Sequence, residues 1–506
     1  MKELKVILLF SVLLMGTANA QTYNNGYLLE RPAAVFRGLH LVDDTLVAHG
    51  YVAEAFAFNP VKYVLVKFDI DGNPLISYSA MLDSFTDYFT FGRFVVTKDS
   101  CFAFVGVKNT YNAGLLFKVT KSGEIVFAKE YADSTAWGYG FLGLVEMPDS
   151  GFAILANRSG TGEYPGTALI RTDKAGNTLW RKTFGEGNSP SGIALLNNEN
   201  ILLCTAFMYG LGNNFKTSTT FTTYMANGNL VDSWFDTSIS TFGANSYLPL
   251  NDGGGIYVSE WMNSIQNSGG SPPTYVSMRC GYIVREDSLH NKIWELKLGQ
   301  SSAIPNLFQI KKLIDGNYLA IGGTYDSTYT DSQPFKNTGW LIKFNESGNL
   351  IWQRRYFNTT DMPGQTNYLY DFVELADGGI VAAGERIDWF TDYPQQGWLL
   401  RLDSYGCLVP GCQTVGVKEN EDVSHYLSLY PNPFTDQLQI YFNAPNEFGS
   451  YSFKLLSFEG RLLNSVSGLQ NNTTYSLNTE VLPKGIFLVQ LFSDDKLVSS
   501  HKIVKQ

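Results

Sequence analysis

Seven copies of one short pattern run through most of this chain, and an internal repeat restricts a fold more tightly than any single motif. In order the copies read LVKFDIDGNPLI, LFKVTKSGEIVF, LIRTDKAGNTLW, FTTYMANGNLVD, YIVREDSLHNKIW, LIKFNESGNLIW and LLRLDSYGCLVP. Their turn positions are Gly72, Gly123, Gly176, Gly228, His290, Gly348 and Gly406, separated by 51, 53, 52, 62, 58 and 58 residues. A second pattern precedes each copy: DDTLVAHGYV, DSCFAFVGV, DSGFAILAN, NENILLCTAF, DGGGIYVSE, DGNYLAIGG and DGGIVAAGE. It joins a turn signal to an apolar strand, and a further apolar segment usually lies before it.

The unit is therefore four strands: A, an Asp-Gly type turn, B, a variable loop, C, the Asp-x-x-Gly turn, and D. Seven such units of about fifty residues predict an all-β chain, a seven-bladed β-propeller over residues 21–412. Trp180, Trp294 and Trp352 each lie four residues past the turn position, placed to pack against the next blade. Pro410 and Cys412 interrupt the seventh blade where its fourth strand should run. The segment NNGYLLERPAAVF reads as strand D followed by the approach to strand A, so residues near Gly26 to Arg31 are expected to close the ring.

Several local patterns imitate chemistry. Asp69, Asp71 and Asn73 resemble the start of a calcium loop, but Ala80 stands where the bidentate acid belongs, so a turn is expected. Gly138, Gly140 and Gly143 spell a dinucleotide-binding pattern outside the βαβ setting that would give it meaning. The C to D turn resembles the tryptophan-bearing repeat of pyrroloquinoline-quinone-type propellers and, one residue out of register, the aspartate box of sialidases. The first is a scaffold motif and brings no cofactor with it. A basic residue stands five positions before most turn glycines: Lys67, Lys118, Arg171, Arg285, Lys343 and Arg401, with Thr223 the exception. Recurrence in every blade points to architecture, with each cation pairing a turn carboxylate or covering an apolar face with its stem. The five histidines show no metal-ligand spacing, and neither a metal nor a cofactor is expected.

Residues 1–20, MKELKVILLFSVLLMGTANA, have the basic start, short apolar run and small-x-small end of a cleavable secretory signal. No later run is long enough to span a bilayer, so no transmembrane segment is expected in the mature chain. Net charge is −10, and −11 once the signal's two Lys and one Glu are removed, which disfavours nucleic acid as a partner. Cys407 and Cys412 are close enough to form a local disulfide, while Cys101, Cys204 and Cys280 sit in strand-like runs as buried thiols.

After a polar linker at 413–425, residues 426–506 change pattern to LSLYPNPFTDQLQIYF, YSFKLLSFEGRLL, YSLNTEVLPKGIFLVQLF and KLVSSHKIVKQ, adequate for a small β-sandwich. Tyr430-Pro431-Asn432-Pro433-Phe434, Glu459-Gly460, Leu482-Pro483-Lys484-Gly485-Ile486-Phe487 and Lys502-Ile503-Val504-Lys505 together resemble the type A C-terminal sorting domain of type IX secretion cargo in Bacteroidetes. The resemblance implies export through the periplasm, recognition by the type IX machinery, and release or attachment at the cell surface. Tyr430, Pro431, Asn432, Pro433, Gly485, Lys502 and Lys505 would carry that signal.

Strand parity places the A to B and C to D turns at one end of the propeller and the B to C loops at the other. Length and aromatic variety collect in the loops of blades five to seven. A binding surface is expected there, with Trp261, Tyr275, Tyr325, Tyr329, Trp389 and Tyr393 as contacts and Asp326, Asp388 and Asp392 as polar partners. Aromatic planes beside carboxylates suit a glycan or a protein loop. The chain thus reads as an exported or surface-bound interaction propeller. The alternative is an extracellular propeller enzyme, a polysaccharide lyase or glycosidase or a quinoprotein, with acids, histidines or arginines clustered at the centre of the loop-bearing end.

Overall fold

The structure, a computed structural model, describes residues 22–29, 33–53, 61–77, 88–90, 94–108, 113–133, 136, 138–159, 166–184, 188–209, 216–236, 241–267, 275–301, 306–325, 337–359, 365–388, 395–409, 412, 427–443, 451–457, 461–493 and 496–506. The expected signal at 1–20 and linker at 413–425 lie outside the described residues. The chain forms two compact units, Met1–Pro410 and Gly411–Gln506.

Among the described residues the first unit holds seven antiparallel sheets. Six are consecutive: 33–77, 88–132, 138–184, 188–235, 241–301 and 306–356. The seventh joins Thr366–Glu374, Ile380–Ile387 and Gln395–Leu402 to the N-terminal strand Tyr23–Tyr27. Each sheet packs on the next and the seventh packs on the first, which is the closed ring of a β-propeller. From the second blade onward the A strands of neighbouring blades touch, as do those of blades seven and one, so the A strands surround the axis. The D strands lie outside. In blade six strand C, Asn337–Phe344, is buried throughout, whereas strand D, Leu350–Tyr356, is largely exposed.

A β-bulge opens strand D in each of the first six blades. The skipped residues are Leu75, Val126, Leu179, Val231, Ile293 and Ile351, three past the turn position each time and each 45–57% exposed. A bulge breaks the ladder of an edge strand, which protects these six open edges from pairing with other chains. It also turns the following residue toward the next blade. Trp180 Nε1 donates to Ala226 O at 2.9 Å and Trp294 Nε1 to Glu346 O at 3.0 Å, each reaching the C to D turn of its neighbour. A Cβ on Gly348 (φ 79°) would stand 2.7 Å from the Trp294 ring, so the indole needs the bare turn. In the fifth blade His290, at φ 64°, replaces the glycine, and its ring stacks on Trp234 with centroids 3.4 Å apart.

Lys67 of blade one is half-buried, whereas the other five strand-C cations are buried and pair with the A to B turn of their own blade, Arg401 also reaching Asp71 of blade one at 3.1 Å. Lys118 meets Asp99 at 2.7 Å, Arg171 meets Asp149 at 2.6 Å, Lys343 meets Asp315 at 2.7 Å and Arg401 meets Asp377 at 3.4 Å, while Arg285 pairs with Asp252. The fourth blade, with Thr223, has Asn198 at the aspartate position, so cation and carboxylate are missing together. The arginine blades also place glycine two residues after the aspartate (Gly151, Gly254, Gly379), whereas the lysine blades have Cys101 and Asn317. In the blades of Arg171 and Arg285 the reason is space, while a Cβ on Gly379 would meet Asp377 Oδ1 and Leu402 O, both at 2.9 Å. A Cβ on Gly151 would lie 2.2 Å from Thr172 O and 2.4 Å from Arg171 Nη1, and one on Gly254 2.6 Å from Arg285 Nη1. Gly151→Ala should therefore cost about 3 kcal/mol in urea unfolding, and Asn317→Ala, in a lysine blade, under about 1 kcal/mol.

The remaining sequence patterns resolve as scaffold. Asp69 Oδ1 accepts from the backbone N–H of Asp71 and Asn73 at 3.0 and 2.8 Å, so this carboxylate shapes a turn. Gly138, Gly140 and Gly143 belong to strand A of blade three, Gly138–Glu146. Cys407 and Cys412 are disulfide-bonded; Cys204 and Cys280 are buried thiols and Cys101 is half-buried.

The second unit is a sandwich of a three-stranded and a four-stranded sheet. Leu438, Ile440, Phe442 and Leu477 of the first pack on Phe453, Leu455, Phe487, Val489, Leu491 and Ile503 of the second.

Candidate functional site

Strand A is bulged at mid-length in six of the described blades, skipping Arg37, Leu142, Ser191, Asn245, Phe308 and Tyr370. Opposite three of these bulges strand B carries glycine, because a Cβ on Gly50, Gly322 or Gly384 would fall 1.8 Å from the facing carbonyl oxygen of Val35, Asn306 or Tyr368. Since the A strands surround the axis, the bulged residues form the neck of the ring. Arg37 is the cation among these six; the others are uncharged.

Blades one and seven build a polar cluster on this neck, in the half of the sheets nearest the B to C loops. The Arg37 guanidinium lies 4.0 Å from the Tyr370 ring centroid, 5.8 Å from that of Tyr51, and 3.8 Å from Glu385. The Tyr370 hydroxyl donates to one Glu385 oxygen, and Gln395 Nε2 donates to the other at 2.6 Å. Burial opposes the Arg37 charge, but Tyr370, Tyr51 and the Glu385 carboxylate outweigh it, and its pKa rises. Burial, with Glu385 adding to it, drives the Tyr370 phenol well above its usual value, so this hydroxyl stays a donor. The cluster thus offers a fixed cation beside aromatic planes, held by the buried Glu385 and Gln395 behind them, a set that matches the hydroxyls and apolar faces of a sugar.

Toward the turn end the neck changes character. Asp371 is held by Lys311 at 2.7 Å and by the backbone N–H of Leu39 at 3.1 Å and Phe372 at 2.9 Å. Beside it His40 and His49 flank Phe94, each with ring centroids 4.4 Å away. Burial lowers the pKa of both, that of His49 to about 3. On blade five Glu260, beside Trp261, is pushed up to about 7 by burial, which Arg279 at 3.4 Å only partly offsets. Among the described residues no group of three His, Cys, Asp or Glu side chains is arranged to hold a metal ion.

The sequence-predicted contacts are distributed unevenly. Tyr275 and Tyr325 end the strands Tyr275–Glu286 and Tyr318–Tyr325 on either side of their B to C loops. Tyr329, Trp389, Tyr393, Asp326 and Asp392 lie outside the described residues. Two expectations change. Trp261 is half-buried against the core between blades four and five, with the Lys297 ammonium 4.2 Å from its ring, so that face is already engaged. Asp388 is buried and accepts from Gln365 Nε2 at 2.9 Å, which fixes it within the blade. Arg37, Tyr51, Tyr370, Glu385 and Gln395 escaped sequence reasoning. The signal was Gly50 and Gly384 inside strand B, since glycine in a strand marks a bulge or close backbone approach on its partner.

In the second unit Tyr430, Pro431, Asn432 and Pro433 are exposed, as is Lys502, while Lys505 is buried and pairs with Gly485 across the sheet. These segments, remote in sequence, border one strand, Lys496–Lys505.

Residues 428–506 match the family described as secretion system C-terminal sorting domain. No curated protein matches the chain in sequence. Among solved structures, the β-propeller domain of the Trilobed protease from Pyrococcus furiosus, described as having an open velcro topology, overlaps 73% of this chain and 95% of its own at 9% identity and TM-score 0.41. An α-L-arabinanase of Penicillium chrysogenum complexed with arabinobiose overlaps 63% and 94% at 11% identity and TM-score 0.38. A protein of unknown function from Bacteroides caccae overlaps 61% and 93% at 12% identity and TM-score 0.34. Overlaps this loose carry no inference about ligand or activity. The sorting domain does: it implies export by the type IX machinery and a secreted or cell-surface location.

Proposed function

We propose that the protein is a glycan-binding propeller, taken across the inner membrane by a cleaved signal at 1–20 and delivered outside by its sorting domain. The ligand lies across the loop-bearing end, with the neck cluster of blades one and seven at its centre and Tyr275, Tyr325, Tyr329, Trp389, Tyr393, Asp326 and Asp392 as further contacts. The observation that supports this most is the Arg37, Tyr370, Glu385 and Gln395 arrangement, with Arg37 and Tyr370 on innermost strands and Glu385 and Gln395 behind them on strands B and C.

Binding is favoured over hydrolysis by how the acids are used. Glycoside cleavage commonly needs two carboxylates free to act on either side of one bond, roughly 5 to 9.5 Å apart. Glu385 has both oxygens occupied by Tyr370 and Gln395, and Asp371 is neutralised by Lys311. On a glycan array the purified mature protein should retain a defined set of polysaccharides. Arg37→Gln and Trp389→Ala should each weaken binding about tenfold or more, the cost of a lost charged hydrogen bond or aromatic plane. Trp389→Ala should leave the melting temperature nearly unchanged. Unaltered affinity in both variants would reject the site.

A further inference from the structure

The sorting domain contains a buried cation whose partners are all main-chain carbonyls. Lys505 is 7% exposed, and its ammonium donates to Thr479 O at 2.6 Å, Leu482 O at 2.7 Å and Glu480 O at 3.1 Å. All three donor positions are filled, in the one loop that leads into Pro483-Lys484-Gly485. No packing need explains a lysine here, because the sandwich core is built from Leu, Ile, Phe and Val without it.

The loop Lys505 holds is joined to a second segment. Thr479 N–H donates to Asp436 O and its hydroxyl to Thr435 O, both at 2.9 Å. The segment before these, Asn432 to Phe434, is sewn to the strand that carries Lys505. Asn432 Oδ1 accepts from Val504 N–H at 2.9 Å and its Nδ2 donates to Lys502 O at 3.2 Å, so the side-chain amide acts as one more residue of backbone pairing. Phe434 N–H then donates to Val504 O at 2.9 Å and Gln506 N–H to Phe434 O at 3.0 Å. Three stretches far apart in sequence thus close into one interlocked unit, with Lys505 where they meet.

What this unit presents is unusual for a soluble surface. Val481, between two of the carbonyls bound by Lys505, is 92% exposed, and Tyr430 is 48% exposed. Pro431, Pro433 and Pro483 are exposed as well, with Lys484 and Lys502 beside them. Exposed apolar groups rimmed by charge mark contact sites. Without Lys505 the loop at 479–482 would lose three charge-assisted hydrogen bonds and Val481 would have no reason to stay in water.

We propose that Lys505 is a positioning residue of the sorting signal: it touches the secretion machinery nowhere, but holds the Val481 loop and the Tyr430 to Pro433 segment in the arrangement that the machinery reads. Asn432 has the same task from the other side, so the two residues are energetically coupled.

The test uses the full chain expressed in a host with type IX secretion. Lys505→Met keeps the length and apolar stem but removes the ammonium; Asn432→Ala removes the amide. Each should reduce the exported fraction about tenfold or more. Purified from the periplasm, each should keep its sandwich folded while losing amide-exchange protection at Phe434 and Leu482. The double variant should be no worse than either single, as expected for residues acting through one arrangement. Normal export of Lys505→Met, or unchanged protection at Phe434 and Leu482, would overturn the proposal. If Lys505→Met unfolds the sandwich, Asn432→Ala decides alone: export at the parental level with protection at Phe434 lost would equally overturn it.

Discussion

Deleting residues 22–29 should lower the stability of the propeller by about 5 to 10 kcal/mol, the largest loss expected from any short change in this chain. The strand Tyr23–Tyr27 pairs along its whole length with Gln395–Leu402 and supplies the outer strand of blade seven. Its side chains also tie that blade to both neighbours. Asn24 Oδ1 accepts from Trp398 Nε1 at 2.6 Å, and Asn24 Nδ2 donates to Phe357 O of blade six at 2.9 Å. Tyr27 packs edge-on against Phe68 of blade one at 4.9 Å, and its hydroxyl donates to Gly72 O at 2.6 Å. Losing the packing of two tyrosines costs about 2 kcal/mol each, and the strand's pairing and side-chain hydrogen bonds add up to about 1 kcal/mol apiece. Thermal unfolding followed by tryptophan fluorescence checks this, with Asn24→Ala as a milder companion losing about 2 kcal/mol. A deletion variant that melts with the parent would show that the strand is an accessory and that six whole blades and the remaining three strands of blade seven suffice.

The second large effect depends on pH. His49 is completely buried among Phe94, Phe104 and Tyr63, and among the described residues neither ring nitrogen has a hydrogen-bond partner. Burial, then the neighbouring His40 and the more distant Arg37, lower its pKa from 6.5 to about 3, against a small opposing pull from Asp371. The folded state therefore binds the proton less readily than the unfolded chain. Stability from this group is complete above pH 6.5 and is lost progressively as pH falls toward 3. Between pH 6.5 and 4 the loss amounts to about 3 kcal/mol, at about 1.4 kcal/mol per unit. Replacing His49 with Met, which fills the site without titrating, should flatten this limb by that amount in urea unfolding series at pH 7, 6, 5 and 4. Asp99, held at about 2 by Lys118 and Thr97, acts only in stronger acid, whereas Glu260, raised to about 7 by burial, gains stability as pH falls from 7 toward 4.5 and does so equally in the variant and the parent. Parallel pH profiles for His49→Met and the parent would remove His49 as the cause.

Most of the architecture was legible because a repeat reports the same constraint seven times. Turn positions, strand count and the inter-blade tryptophans all follow from the aligned copies. Ring closure was legible in kind but shifted: residues near Gly26 to Arg31 were expected, and the strand is Tyr23–Tyr27. The register was available in another form. Tyr23 and Tyr27 repeat the spacing of Phe127 with Tyr131 and Trp352 with Tyr356, and Tyr27, Tyr131 and Tyr356 all donate their hydroxyls to the turn glycine carbonyl of the next blade. The candidate site was harder, because a repeat conceals what differs between copies. Arg37 and Tyr370 occupy a position that elsewhere holds Leu142, Ser191, Asn245 and Phe308. Such variety reads as loss of pattern until the bulge shows that all of them face the axis. Trp261 misled in the opposite way, since an aromatic beside a long loop looks free until its neighbour blade is placed against it.

The match between strand-C cation and A to B turn has a consequence for making new proteins from this one. Arg171 and Arg285 crowd the position two residues after their aspartate so closely that it must be glycine, whereas lysine blades carry Cys101 or Asn317 there. Both halves of that match lie on opposite sides of the B to C loop. Grafting the second half of an arginine blade onto the first half of a lysine blade would set a guanidinium against a side chain that has no way to yield. Recombination joints belong between blades, where only the outer aromatic and the next turn must agree, and a shuffled library cut there should yield folded rings far more often than one cut at the loops.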